Sequence, residues 1–238
     1  GGEAGPFQIG DMVHGPMIHA DYQICQVKDC YPLLWMRKEF STFIEQGAYA
    51  LRWVRQARIR YGDTVNIVGM GAVGLMALQH VLANGALHVV SVDPLQDRLK
   101  VATRLGAHQV LTDREAAEMS ERHGAADAVL DFSGADAGLE LACRLAKSGG
   151  ELLPGAGHYS RKSIQYARDI CRQQGIGYKE GGSEPKQKLT ELTRGAISSK
   201  RVIVWPIISD YVSFHEMEPV YSKLADSPGS YLKVILTY

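Results

Sequence analysis

Between residues 62 and about 205 the chain alternates short apolar runs with stretches in which apolar residues recur at helical spacing. The runs fall at 65–69, 88–92, 109–111, 128–132, 151–154, 175–178 and 202–205, and several are Val, Ile and Leu with no polar alternation. An unalternating run marks a strand buried on both faces, and strands that alternate with helices assemble into a parallel sheet. Helical spacing recurs at 75–82, 95–105 and 137–146, with Ser133 and Asp136 as candidate N-caps for the last. The pattern predicts an α/β fold, a doubly wound parallel sheet over 62–205.

The two ends break this rhythm. Phe40, Phe43, Ile44, Gly47, Leu51 and Val54 share one helical face, which predicts a single long helix over 36–60, stopped by the turn Tyr61-Gly62-Asp63. Residues 7–31 read as short strands and turns, with Gly10-Asp11 as a turn and 12–14 as a strand. Residues 231–238 read as a terminal strand.

Composition narrows the function classes. Of 238 residues, 45% are hydrophobic and 22% charged, and Lys+Arg and Asp+Glu balance at 26 each. A neutral chain is not steered towards nucleic acid or an anionic membrane. The basic clusters at 52–60 and 186–188 read as solvated helix faces. No stretch reaches the ~18 uncharged apolar residues of a membrane span. The opening Gly-Gly-Glu-Ala-Gly-Pro lacks the pattern of a secretory leader. Cys25, Cys30, Cys143 and Cys171 form no C-x-x-C pair, so free thiols in a reducing compartment, a cytoplasmic setting, are expected.

The chemistry concentrates where the first strand of the repeat meets its helix. Gly69-Met70-Gly71-Ala72-Val73-Gly74 is a G-x-G-x-x-G loop between a strand and an apolar helix. In that setting the first glycine allows a tight turn, the second lets backbone approach a pyrophosphate, and the third lets helix and strand pack closely. The helix N-terminus adds unpaired N–H groups and a positive dipole end. The next strand ends in Asp93, nineteen positions after Gly74, where a carboxylate can accept ribose hydroxyls and repel a 2′-phosphate. The pair predicts a Rossmann-type domain that prefers NAD(H). Asp93 is also a candidate helix cap, with Pro94 at the first helical position. Methyltransferases that use S-adenosylmethionine carry a similar loop and acid, but usually as G-x-G-x-G, so the third glycine favours the dinucleotide reading.

With these residues in place, the sequence resembles the medium-chain dehydrogenase/reductase family, in particular its zinc-dependent alcohol and polyol dehydrogenase branch. The likeness runs from Phe7-Gln8-Ile9-Gly10-Asp11-Met12-Val13, through 65–74, 92–98 and Leu105-Gly106-Ala107, to 231–238. Gly71-Ala72-Val73-Gly74-Leu75 with Ser91-Val92-Asp93 is similar to the zinc branch. The quinone-reductase branch usually carries an extra Gly-Gly there and prefers NADP. The resemblance implies cofactor contacts from Arg98, from Ser133 and Gly134 on the adenine side, from Gly155, Ala156 and Gly157 beside the nicotinamide, and from Lys233 at the pyrophosphate.

The resemblance also implies what to look for elsewhere. A full member carries an N-terminal GroES-like β domain with a zinc-ligand cysteine, a Gly-His-Glu motif and a Ser/Thr and His proton relay. Gly10-Asp11-Met12-Val13 matches a segment well inside that domain. The expected organisation is thus a GroES-like remnant at 1–35, a connecting helix at 36–61, the Rossmann domain at 62–205 and a C-terminal return segment at 206–238. In the polyol branch a glutamate stands at a helix start about two dozen residues before the first loop glycine. Glu45, 24 positions before Gly69, matches it as a candidate ligand to zinc or its water. One carboxylate does not hold zinc, and His14, His19 and Cys25 read as structural, so zinc is expected of a complete protein rather than of these residues alone.

Three functions follow. The first is an NAD(H)-dependent alcohol or polyol dehydrogenase acting on a small alcohol or its carbonyl. The second is a catalytically incomplete NAD-binding module. The third, a minor alternative, is an S-adenosylmethionine-dependent methyltransferase. The resemblance also implies a homo-oligomer, with the strand at 202–205 as a candidate edge. No catalytic residue is assigned.

Overall fold

A computed structural model describes residues 5–33, 35–123, 126–227, 229 and 231–238. Residues 1–4, part of the opening Gly-Gly-Glu-Ala-Gly-Pro read above, lie outside them. Two short antiparallel strands, β1 (Val13–His14) and β2 (Tyr31–Pro32), come first, followed by helices α1 (Lys38–Ser41) and α2 (Ile44–Gln56). The repeat then runs β3 (Thr64–Val68), α3 (Ala72–Ala83), β4 (His88–Val92), α4 (Gln96–Arg104), β5 (Gln109–Leu111), α5 (Asp113–His123) and β6 (Ala126–Asp131). It continues through α6 (Asp136–Leu145), β7 (Ala146–Pro154), α7 (Arg161–Gln174), β8 (Gly177–Tyr178) and α8 (Lys186–Ser198). The strands β9 (Asp210–Ser213) and β10 (Val234–Thr237), joined through α9 (Glu218–Asp226), form a two-stranded parallel sheet near the C-terminal end.

The central sheet has the order β5-β4-β3-β6-β7-β8 with parallel neighbours. From β3 the chain winds out one way through β4 and β5, then returns to place β6 on the other side of β3. That reversal opens a crevice at the carboxyl ends of β3 and β6, where ligands bind in open α/β sheets. Val65 and Ile67 of β3 join one core with α2 and α3, and Val68 joins another with α6 and α7. Helices therefore cover both faces, which is why these strands carry apolar residues without alternation. Gly47 lets α2 approach its neighbours closely: a Cβ there would stand 2.5 Å from Met76 Cε of α3 and 2.6 Å from Thr193 Cγ2 of α8.

Several expectations need correction. The single helix over 36–60 is two helices, broken at Thr42 and Phe43. Ser41 Oγ donates to Lys38 O (2.6 Å) and Thr42 Oγ1 to Glu39 O (2.8 Å), side-chain bonds that compete with helix propagation. Phe43, fully buried, then redirects the chain into α2. The run at 202–205 is not a strand. Ile203 N–H donates to Gln79 Oε1 (2.6 Å), and Gln79 Nε2 donates to Ile203 O (3.1 Å), so a side chain of α3 takes the groups a ladder would use. Pro206 follows in the 3-10 turn Trp205–Ile207, and Val202 and Val204 are apolar because they are buried in the core. The sheet ends at β5 and β8 instead.

Neither Ser133 nor Asp136 caps α6. The cap residue is Ala135, Ser133 Oγ accepts from Ala135 N–H (3.2 Å), and Asp136 Oδ1 accepts from Ser160 N–H (2.8 Å). Pro94 is not the first helical residue either, because α4 starts at Gln96 behind Leu95.

Candidate functional site

The glycine loop has the geometry its spacing predicts. Gly69 directly follows β3 with φ +89°, a left-handed conformation that side chains rarely adopt, and its N–H donates to Val92 O (2.8 Å). A Cβ on Gly69 would stand 2.5 Å from Ser133 N, so the turn after β6 lies directly against it. Gly71 meets nothing within 4 Å of its Cβ position: its outer side is open. It precedes α3, whose N-terminus has no side-chain cap. A Cβ on Gly74 would overlap Gly69 O, so the first turn of α3 can pack on the strand end only through a glycine. Gly71, Ala72 and Val73 are half-buried while Gly74 is buried, so the first turn presents its N-terminal end to the crevice.

Asp93 stands at the adjacent strand end and is bound from several sides. Met70 N–H donates to Oδ2 (2.7 Å) and Leu95 N–H to Oδ1 (2.9 Å). Arg98 Nη1 lies 3.5 Å from Oδ2, and the Asp93 side chain is 2% exposed against 23% for Arg98. The carboxylate thus fastens the glycine loop from behind, and Arg98 lies across it. Burial, with the nearby Asp93 charge second, pushes the Asp113 carboxyl above its ordinary range.

The other wall of the crevice comes from β6 and β7. Phe132 N–H donates to Val68 O (2.7 Å), which carries the ladder one step past β6. Ser133 N–H donates to Asp131 Oδ1 (2.8 Å), and Gly134 has φ +68°. A Cβ on Gly134 would be 3.8 Å from Ala156 Cβ and 3.9 Å from the His158 ring, which places the loop after β7 beside this turn. A Cβ on Gly155 would strike the Phe132 ring. Gly69, Gly71, Asp93, Arg98, Ser133, Gly134, Gly155 and Ala156 therefore gather at the carboxyl edge of the sheet. Lys233 makes different contacts: Nζ donates to Thr42 O (3.5 Å) and lies 5.6 Å from the Phe43 ring centre, and burial lowers its pKa. Among the described residues, its contacts join the end strand to the start of α2 rather than to the glycine loop.

A second, charged corner forms at the start of α2. Glu45 is the second residue of that helix, as the resemblance requires of a ligand position. Its Oε2 pairs with Lys186 Nζ of α8 (3.0 Å), and its Oε1 lies 3.9 Å from His14 Nε2 of β1. His14 Nε2 is buried with no hydrogen-bond partner, and burial lowers the His14 pKa. Nearby, Glu184 Oε2 accepts from Arg55 Nε (2.5 Å) and its Oε1 lies 3.1 Å from Lys188 Nζ. Glu45 and Glu184 thus pair with Arg55, Lys186 and Lys188 of the two basic clusters, all three of which remain exposed to solvent. A catalytic zinc takes three protein ligands. The described residues offer no group of three or more His, Cys, Asp or Glu able to hold a metal ion, and Glu45 is engaged by Lys186, so they do not fit a zinc centre.

The sequence reading missed Asp131, the last residue of β6. It is fully buried, and burial pushes its carboxyl up to about 6, against a lowering by Ser133 and Tyr159. Its position was the available signal: an acid ends β6 on one side of β3, just as Asp93 follows β4 on the other. Tyr159 was also missed; its hydroxyl donates to Asp131 O (3.0 Å).

Comparison with known proteins finds similar sequences and the same fold. Residues 72–177 match the family model described as zinc-binding dehydrogenase. The chain is 26% identical over 226 residues to a probable D-xylulose reductase A of Arthroderma otae, covering 88% of this chain and 61% of that protein. Galactitol-1-phosphate dehydrogenase of Escherichia coli has a similar structure, with TM-score 0.77 and 22% identity over 91% of this chain and 66% of that one. A short chain alcohol dehydrogenase of E. coli CFT073, solved with NADH, has TM-score 0.77 and 16% identity over 89% and 63%. The chain spans about three fifths to two thirds of the length of these proteins. The chain is thus similar to zinc-type alcohol and polyol dehydrogenases in sequence and in fold, with the family match confined to residues 72–177.

Proposed function

We propose that this chain binds NAD(H) in the crevice between β3 and β6 and serves hydride transfer between a small alcohol or polyol and its carbonyl. The observation that carries the reading is the pairing of an open Gly71 with a Gly74 that no side chain could replace without overlap. Such a loop brings backbone N–H groups and the α3 N-terminus to a pyrophosphate. The NADH-bound protein that shares this fold supports the choice of dinucleotide. The reductase relative, named for a sugar ketone, supports the substrate class. NAD(H) supplies the hydride donor or acceptor; the chain's own residues hold and orient it.

In this reading Gly69, Gly71, Ala72, Val73 and Gly74 cradle the pyrophosphate, and Asp93 keeps that cradle in place through Met70. A ribose reaches the Asp93 oxygens once Arg98, the more exposed partner, swings aside. Ser133 and Gly134 border the adenine side, and Gly155 and Ala156 the nicotinamide side. Residues 62–205 act as the cofactor domain, with 1–35 and 206–238 as parts of a GroES-like catalytic unit and 36–61 between them. Homo-oligomers belong to the same proposal, with the sheet edges β5 and β8 as the surfaces available. Glu45 keeps its place in the proposal as the one carboxylate at the expected ligand position. Competition between NADH and NADPH on the native chain and on Asp93→Ser tests the assignment. The variant should bind NADH more weakly and gain in its NADPH/NADH ratio, and an unchanged ratio would remove Asp93 from the ribose site.

A further inference from the structure

We propose that Asp131 is a positioning residue that holds the loops of the crevice in register, an inference that rests on the dinucleotide reading above. Asp131 pairs with Val68 at the last step of the β3–β6 ladder, at the point where the sheet reverses. Its carbonyl accepts two donors from the loop after β7, Gly155 N–H at 2.7 Å and the Tyr159 hydroxyl at 3.0 Å. Its carboxylate accepts Ser133 N–H at 2.8 Å, and Ser133 is the residue whose backbone stands against Gly69. One residue thus reaches the turn after β6 and the loop after β7, and through Ser133 it backs the glycine loop.

The second carboxylate oxygen makes the arrangement costly. Asp131 is 0% exposed, and Oδ2 is buried with no hydrogen-bond partner among the described residues. Asp113 from the start of α5, Cys143 from α6 and the Tyr159 hydroxyl bear on this carboxyl electrostatically, and none brings a positive charge. A buried charge without a partner opposes folding. An amide would offer Ser133 the same acceptor and leave an unpaired NH2 in place of an unpaired charge, a smaller cost, so folding alone does not call for an acid here. The charged form does one thing the amide does not: it makes the Ser133 bond charge-assisted, roughly doubling its strength. The carboxyl changes form near pH 6, so the stiffened turn exists above that pH and relaxes below it.

Asp131 therefore trades stability of the fold for order in the crevice, and replacing it should move the two in opposite directions. The test measures NADH binding by fluorescence titration, and thermal unfolding, on the native chain, Asp131→Asn, Asp131→Ala and Tyr159→Phe at pH 8 and pH 5.5. At pH 8 Asp131→Asn should unfold at a higher temperature than the native chain yet bind NADH several-fold more weakly. Both differences should shrink at pH 5.5. Asp131→Ala, which also loses the Ser133 acceptor, should bind about tenfold more weakly; if it does not fold, Asp131→Asn and Tyr159→Phe carry the test. Native-like NADH affinity of Asp131→Asn at pH 8 would overturn the inference while leaving the dinucleotide reading intact. A native chain that binds no NADH would overturn both.

Discussion

At the end of β3 the crevice is shaped by backbone, with three glycines and a row of N–H groups, whereas at the start of α2 the corner around Glu45 is shaped by side chains from β1, α2 and α8. The crevice is assembled largely from consecutive residues, 69–74 and 131–134, so its geometry follows from local sequence once the sheet forms. The corner needs Val13–His14, Ile44–Gln56 and Lys186–Ser198 to meet in three dimensions. It also spends its one well-placed carboxylate on a lysine. The proposed cofactor site therefore draws on the sheet and its own loops, while among the described residues the substrate chemistry has Glu45 as its candidate.

The largest expected effect falls on the crevice. Gly74→Ala places a methyl group against Gly69 O, which has no room to yield because Gly69 is itself held by Val92 and faces Ser133. Overpacking at a rigid contact costs about 3 kcal/mol, and unfolding midpoints in urea should report it together with loss of NADH binding. A native-like midpoint would mean that the first turn of α3 is not packed as described. Asp93→Ala comes next. It strips the acceptor from the buried Met70 N–H, a loss of about 1–3 kcal/mol, and should weaken NADH roughly tenfold in a titration.

Two buried groups give a pH signature that separates the regions. His80 of α3 faces α2 near Gly47, and burial lowers its pKa to about 4, with the Gly47 backbone opposing. Because the folded value lies below the unfolded one, stability falls as pH drops from about 6.5 towards 4, by about 3 kcal/mol in all. Asp131 has the opposite sign: its folded value is raised to about 6, so its contribution is lost as pH rises from about 4 to 6. The two trends partly cancel in the native chain. Replacing His80 by Gln should expose the Asp131 trend, and Asp131→Asn should expose the His80 trend, in unfolding curves taken between pH 4 and 7. Parallel curves for native chain and variants would count against both assignments.

The smallest effect belongs to the corner. Glu45 and Lys186 are 45% and 63% exposed, and pairs of that kind contribute about 0–1 kcal/mol. Lys186→Met should change stability by less than that and leave NADH affinity untouched. A tenfold change in NADH binding would show that the corner and the crevice are coupled.

Much of the fold was legible because its physics is local. Buried parallel strands announce themselves as apolar runs, and the loop Gly69–Gly74 is a backbone requirement written directly as residue type. The error at 202–205 arose because Val202 and Val204 are apolar for burial, and only the structure shows Gln79 occupying the polar groups of Ile203 between them. The split of the helix over 36–60 depends on hydroxyl bonds from Ser41 and Thr42 that helical spacing does not register. Asp131 escaped notice because its role lies in bonds to Ser133, Gly155 and Tyr159, two of them through its backbone, and no motif spacing encodes them. Asp93 stands out by its spacing from Gly74, but its attachment to Met70 and its cover by Arg98 are tertiary facts.

The central claim is that the crevice between β3 and β6 holds NAD(H). Calorimetric titration of the native chain with NADH, NADPH and S-adenosylmethionine, side by side, tests it most directly. The account predicts saturable NADH binding, weaker NADPH binding and no S-adenosylmethionine binding; saturable S-adenosylmethionine binding with none for NADH would contradict it.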